Sequence, residues 1–429
     1  MLFLSPAKKM NTGAFKDSIY LQAMKPSLLM LILVAAASCI EPYNPDIKNY
    51  KSLLVVEGLV TNENSSYVFR LSRTMDDEEG TLEMISDAVL YLTDENDTRT
   101  DFHNCENGIY KTDSLVFTGQ LDRTYTLHII LGDGREYVSD PCTMYPVSDI
   151  DNVYYEKAME FSGTSGKSIE GIRIFVVPAE PADNVGYLRW EYDEIWKTVI
   201  ASPPKYVYVT DTLIIPLENV NSDCWKINRS KDILISSYCS LLECENPSEP
   251  VLFIGTGRSD RLTVQYSLLV KQYSISADEY EFWKNLQEIN ESGGDIFDSQ
   301  PFPVYSNIHN INDPDEMVLG YFEVSAVKSK RIFITPAELD DLDVPRYVSD
   351  CTTFPVSPLD YHVEGSMAPV MTFDELYEMF MDNGKYTFIE PIYNSDTKQL
   401  EKLAFAYNAC STCEPYGTST KPGFWIDLK

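Results

Sequence analysis

The residue whose surroundings point most directly to chemistry is Cys39. It closes the stretch Leu28 to Cys39, read Leu-Leu-Met-Leu-Ile-Leu-Val-Ala-Ala-Ala-Ser-Cys, with Lys25 just upstream. A basic start, an apolar core and small residues before a cysteine form the pattern of an exported, lipid-modified chain. Ala36 and Ser38 are small enough to enter a signal peptidase site, and Cys39 would then carry the lipid, palmitate included. The apolar run is about ten residues, the size of a signal core, whereas a membrane-crossing helix needs about 20. A buried core helix would not end in a small-small-small-Cys step. Residues 1–38 therefore read as a signal peptide, with Met24-Lys25 an alternative start, and residues 39–50 as a lipidated, Pro- and Asn-containing tether. More than one acyl chain on Cys39 would anchor the protein firmly.

Eight further cysteines remain: Cys105, Cys142, Cys224, Cys239, Cys244, Cys351, Cys410 and Cys413. An even number in an exported chain suggests disulfides. Cys105 and Cys142 lie alone in the N-terminal part and could clip two strands. Cys224, Cys239 and Cys244 sit close together, and Cys351 is expected to reach the Cys410–Cys413 pair. The Cys410-Ser-Thr-Cys413 spacing also suits zinc, but a matching second pair is absent, so disulfides are the stronger reading.

No catalytic residue can be named. His103, His128, His309 and His362 are scattered and fit no metal-ligand spacing. His128 falls within a strand pattern; His309, in an Asn/Asp-rich loop, is the better site candidate. No nucleophile elbow, phosphate loop or dinucleotide fingerprint occurs. Carboxylates are too numerous to single out an acid/base pair. Asp94, Asn96 and Asp97, or Asn312, Asp313, Asp315 and Glu316, offer oxygen ligands for calcium without the order of a calcium-binding loop. Solvated turns are the simpler reading, and no cofactor beyond the covalent lipid is expected. Trp190, Trp196, Trp225, Trp283 and Trp425 could line a groove, but core packing is the stronger expectation.

The formal net charge is -32. Residues 1–38 carry four lysines against Asp17, which leaves about -35 for residues 39–429. Such a surface repels phosphates and excludes a nucleic-acid partner. It is also no membrane binder by itself, so attachment falls to the lipid. A cation or a basic peptide is a permitted ligand.

The elements that must position these residues are mostly strands. Leu53–Val60 reads as a buried strand, and Tyr67–Arg73 alternates as a half-buried one. Ala88–Leu92, Tyr125–Ile130 and Arg135–Val138 continue the series, with Gly132-Asp133-Gly134 a hairpin turn. Short strands separated by turn signals predict an immunoglobulin-like β-sandwich over residues 51–147. Residues 148–429 predict a larger β-rich domain with a few short helices. Its strands include Gly171–Val177, Gly186–Tyr192, Tyr206–Val209, Leu262–Val270, Met317–Val324 and Arg331–Ile334. Ser276, with Glu279 three residues on, opens a helix that ends at Gly293-Gly294. Thr372 with Glu375 opens a second, stopped at Asn383-Gly384.

Several segments occur in an order that resembles a known family. Cys39 and its tether are followed by Leu54-Val55-Val56-Glu57-Gly58, Ile85-Ser86-Asp87-Ala88-Val89 and Tyr137-Val138-Ser139-Asp140-Pro141. Then come Cys224-Trp225, Tyr266-Ser267-Leu268, Val318-Leu319-Gly320-Tyr321-Phe322, Cys410-Ser411-Thr412-Cys413 and Lys421-Pro422-Gly423-Phe424-Trp425. Together they resemble the domain of unknown function 4249 lipoproteins of Bacteroidetes. The resemblance implies an outer-membrane lipoprotein commonly encoded beside a TonB-dependent receptor; it brings no catalytic residues.

The expected function is a non-enzymatic accessory or ligand-capture subunit in nutrient uptake beside such a transporter, tethered at the outer membrane by Cys39. The alternatives are a surface hydrolase of glycan or peptide, which needs a pair of buried, facing carboxylates, and a structural or adhesive surface protein.

Overall fold

The structure, a computed structural model, describes residues 52–75, 82–162, 166–180, 186–237, 248–292, 304–344, 351–362, 369–413 and 417–428. Cys39 with its signal and tether, Cys239, Cys244 and the expected helix stop at Gly293-Gly294 lie outside the described residues. The chain is mainly β, with several sheets and a few short helices.

The first core forms between two sheets. In one, the order runs Val318–Val324, Leu54–Val60, Val68–Thr74, Ile109–Lys111, His103–Asn104. In the other it runs Ile308–Asn310, Glu136–Ser139, Thr124–Ile130, Val89–Asp94, Arg99–Asp101. Period-two alternation explains the packing. Leu54, Val56 and Val60 point inward from one sheet; Tyr125, Leu127 and Ile129 point inward from the other. Two strands come from far along the chain. Ile308–Asn310 pairs antiparallel with Glu136–Ser139, and Val318–Val324 pairs parallel with Leu54–Val60. Ile308, Val318, Phe322 and Val324 complete the first core. Gly320 makes the parallel pairing possible. Its φ is +85°, and a Cβ there would meet the Val56 carbonyl oxygen at 2.0 Å.

A second core is built around Trp190, Tyr266, Leu268 and Val270, facing Ile172, Ile174 and Val176. The long strands Tyr187–Val199 and Gln265–Ile275 pair in the middle of its larger sheet, with Val327–Ile334 on one side and Asp223–Arg229 on the other. The sheet opposite is Ile150–Ser162, Lys167–Pro178 and Glu249–Gly255. Strand Val318–Val324 of the first sheet runs, after Ser325-Ala326, straight into Val327–Ile334 of this one. The Ser325 N–H donates to the Val60 carbonyl at 3.0 Å, and the Ser274 N–H to the Ala326 carbonyl at 3.1 Å. The two sheets are thus stitched at one seam.

A third, aromatic-rich core holds Tyr208, Leu376, Phe380, Phe388 and Phe405 between the helix Phe373–Asp382 and a three-stranded sheet. Thr372 and Glu375 cap that helix reciprocally, as their spacing predicts. Disulfides Cys224–Cys413 and Cys351–Cys410 tie this region down. The second joins Cys351 to the Cys410–Cys413 pair as expected. The expected clip between Cys105 and Cys142 is absent, and both thiols are free. Cys105 follows a strand at the edge of one sheet, and Cys142 lies on a short strand of the other, turned toward Phe322 and Asn307.

Candidate functional site

The helix Ala277–Ser292 starts where strand Gln265–Ile275 ends. Ser276 caps it, its Oγ accepting the Glu279 N–H at 3.1 Å. The Glu279 side chain has a different role from the one its spacing suggests. It is 3% exposed, turned into the seam between the two sheets, and hydrogen-bonded to the carboxyl of Glu323.

Behind that pair sits Arg189, 5% exposed, on strand Tyr187–Val199. Its Nη2 donates to Glu323 Oε2 at 2.8 Å, and its Nη1 to Glu191 Oε1 at 2.5 Å. Its guanidinium lies 4.6 Å from the Tyr273 ring centre and 4.9 Å from that of Trp283. Tyr273 Oη donates to Glu191 Oε2 at 3.0 Å. Burial works against the Arg189 charge, but Glu323 and Glu191 hold it above its ordinary range. Burial also opposes ionisation of Glu191, and Arg189 reverses that, keeping Glu191 below the usual carboxylate value. Glu279 goes the other way. Burial and the adjoining Glu323 push it well up, and Arg189 offsets this only in part. Burial raises Glu323 as well, although Arg189 and Glu279 pull it down, so of the two coupled carboxyls Glu279 is the one driven furthest toward its neutral form. Among the described residues, Glu279 Oε1 has no hydrogen-bond partner.

Glu279 forms part of the wall of a cavity of about 380 Å³. Phe282 and Tyr321, with rings 4.7 Å apart, Asn307 and Val324 are its other buried members. Asn307 is held rigidly: its Nδ2 donates to the Phe322 carbonyl and its Oδ1 accepts the Phe322 N–H, each at 2.9 Å. Asp140, Asp278, Glu281 and Tyr305 are exposed around the rim. Among the described residues lining the cavity there is no lysine, arginine or histidine. The acidity is felt inside. Burial first, then Glu279, push the Cys142 thiol up to about 12; the Asn307 hydrogen bond pulls it down, and Asp140 and Asp278 add smaller upward effects. Burial, then Cys142 and Glu279, likewise raise Tyr321. Cys142 is thus a poor nucleophile at neutral pH, since the thiolate is the reactive form.

A larger depression of about 880 Å³ lies near Cys413, between Ile200 and Tyr386, and no charged residue lines it. The carboxylates and the enclosed aromatic floor make the smaller cavity the better candidate.

The residues singled out from the sequence fall in several places. His309 stands beside the cavity rim, its Nε2 3.3 Å from Asp140 Oδ2, with both side chains exposed. His128 stacks on Tyr91 and contacts Thr93, away from the cavity. One carboxylate of each candidate calcium loop is used internally. Asp94 accepts the N–H groups of Asn96 and Thr98 and pairs with Arg123. Glu316 accepts from Tyr137, Arg135 and Asn310. Among the described residues no group of three or more His, Cys, Asp or Glu side chains is placed to hold a metal. Cys410 and Cys413 are disulfide-bonded, so neither offers a zinc thiolate. Arg189, Glu323 and Asn307 were not singled out. The available signal is a charged residue within an otherwise apolar strand, as at Glu323 in Val318–Val324.

The family model described as domain of unknown function (DUF4249) matches residues 40–331. The chain belongs to the DUF4249 family. The matched DUF4249 span contains Asp140, Cys142, Arg189, Glu279, Asn307 and Glu323, the whole of the site described above. No curated protein matches the chain. Among solved structures it is similar to one titled "Biofilm associated protein - BSP domain", at 8% identity and a TM-score of 0.12. That alignment covers 67% of this chain and 62% of the other, less than two thirds of its length. A likeness of this size carries no argument.

Proposed function

We propose that the protein is an outer-membrane lipoprotein, anchored through Cys39, that captures a small ligand beside a TonB-dependent transporter without transforming it. The observation that carries the reading is the cavity at the seam. It has a buried, rigid floor and a polar rim, while its cysteine, Cys142, is held as a thiol. A preformed pocket of this kind is suited to binding. A lipid tether would hold bound ligand at high effective concentration near a membrane pore. The test is to extract the tagged full chain from membranes, purify it and identify what accompanies it.

A surface hydrolase is the second reading, favoured by one observation: Glu279 and Glu323 are two interacting buried carboxyls, both raised by burial. The two interact with each other, whereas glycosidase carboxylates flank a water or sugar between them. Glu323 is moreover bound by Arg189. A screen of glycan and peptide substrates decides this reading: turnover that disappears in Glu279→Gln would establish it.

A further inference from the structure

We infer that the helix Ala277–Ser292 is a pH-sensitive lid on the seam cavity, seated while Glu279 is neutral and lifted when Glu279 ionises. This rests on the capture reading and names the regulation of that site. The first ground is how little holds the helix down. Of its described side chains only Glu279 and Phe282 are buried. Tyr280 stacks on Tyr187 with ring centres 4.5 Å apart, and Gln287 Nε2 donates to the Ile233 carbonyl at 3.0 Å. One of the two buried anchors is therefore an acid. The second ground is the charge behind that acid. Arg189 meets Glu191 at 2.5 Å and Glu323 at 2.8 Å, so two carboxyls already face one guanidinium. A further negative charge on Glu279 would be buried without a cation of its own, which is strongly unfavourable. The third is that the joint is incompletely satisfied. Among the described residues Arg189 Nε, Glu279 Oε1 and Ser325 Oγ are buried and have no hydrogen-bond partner, and a partly satisfied polar network is poorly held.

The groups that bear on Glu279 come from several elements. Strand Tyr187–Val199 supplies Arg189 and Glu191, and strand Val318–Val324 supplies Glu323 and Tyr321. Strand Gln265–Ile275 supplies Tyr273, bound to Glu191, and Lys271, whose charge favours the ionised Glu191. Glu63 acts on Tyr273, while Cys142 and Asp278 complete the surroundings. Burial raises Tyr273, Tyr321 and Cys142, so all three stay neutral near neutral pH. Arg189 holds Glu191 low and draws Glu323 down, so Glu279 is the last of the three carboxyls to ionise as pH rises. An ionised Glu279 reaches water only by leaving the seam, and it sits in the first turn of the helix. Ser276, Asp278, Glu279, Glu281, Phe282 and Asn285, all from the helix or its cap, form one wall of the cavity. Lifting that turn therefore widens the cavity.

The test is amide hydrogen exchange, read by mass spectrometry, on the detergent-extracted full chain between about pH 5 and 9, with intrinsic exchange rates divided out. The seated Glu279 holds its proton more tightly than a carboxyl in water does, so lifting becomes easier as pH climbs through that window. In the wild type, protection of peptides from the helix should fall by about tenfold or more across the window. Peptides from strand Gln265–Ile275 should keep theirs. Glu279→Gln and Glu279→Met carry no ionisable group here, and in each the helix should keep the same protection at every pH. Two variants are used so that misfolding of one, seen in its thermal melt, leaves the comparison standing. Helix protection that is constant with pH in the wild type overturns the lid. So does an equal fall in a folded variant, or a fall shared by helix and strand alike, which is general softening. None of these results touches co-purification with a transporter, on which the capture reading is judged separately.

Discussion

Arg189 and Glu323 meet at 2.8 Å between strands that belong to two different sheets. Tyr187–Val199 lies in the sheet of the second core, and Val318–Val324 closes a sheet of the first. Their ion pair therefore fastens one core to the other, and it also forms the back wall behind Glu279. Removing one partner should leave an uncompensated buried charge, at a cost of about 3–5 kcal/mol. Glu323→Gln and Arg189→Met should each lower the denaturation midpoint strongly, while the double replacement should lose less than the two single losses combined. Chemical denaturation of the four proteins measures the coupling; strict additivity would mean the pair does not fasten the seam.

The proton on Glu279 gives stability a pH dependence of defined sign. Its folded value is raised above that of the unfolded chain. The contribution is complete below the unfolded value of about 4.3 and fades as pH rises toward the folded value. Melting temperature should therefore fall with rising pH more steeply in the wild type than in Glu279→Gln, whose amide cannot ionise. Scanning calorimetry between about pH 5 and 9 compares the two, and parallel curves would contradict the assignment.

The cysteines should sort by chemistry. Under native, non-reducing conditions a thiol reagent should label Cys105 readily, because it is exposed. Cys142 should react only after unfolding, since burial and neighbouring carboxylates push its thiol up to about 12. Mass mapping should recover Cys224–Cys413 and Cys351–Cys410, whose ends are 189 and 59 residues apart. Loops of that length predict a loss of about 2–5 kcal/mol when either bridge is replaced by a serine pair. A Cys105–Cys142 bridge in native material would refute the assignment of free thiols.

Much of the scaffold was legible in the sequence, because strands with one buried face carry a period of two. Leu54–Val60 and Thr124–Ile130 follow it closely, and the Thr372/Glu375 capping box marks a real helix start. The site was far less legible. Glu279 stands where a capping glutamate would stand, and only the approach of Glu323, 44 residues on, gives it another role. Arg189 and Glu323 are 134 residues apart in sequence. Nothing local announces that Val318–Val324 will join Leu54–Val60, since parallel pairing is set by long-range packing. Even Gly320, which the pairing requires, reads in isolation as an ordinary strand glycine. The Cys105–Cys142 expectation failed for a related reason: closeness in a list of cysteines does not put two residues on the same sheet.

The measurement that bears most directly on the central claim is the composition of the complex around the membrane-extracted chain. The tagged full-length protein and its Cys39→Ala variant are each expressed, fractionated, purified and analysed by mass spectrometry. The wild type should partition with outer membranes and bring down a TonB-dependent receptor in near-equal amount, while the variant should appear in the soluble fraction and lose lipid labelling. Recovery of the lipidated protein alone, or a Cys39→Ala protein that still partitions with membranes, would contradict the account.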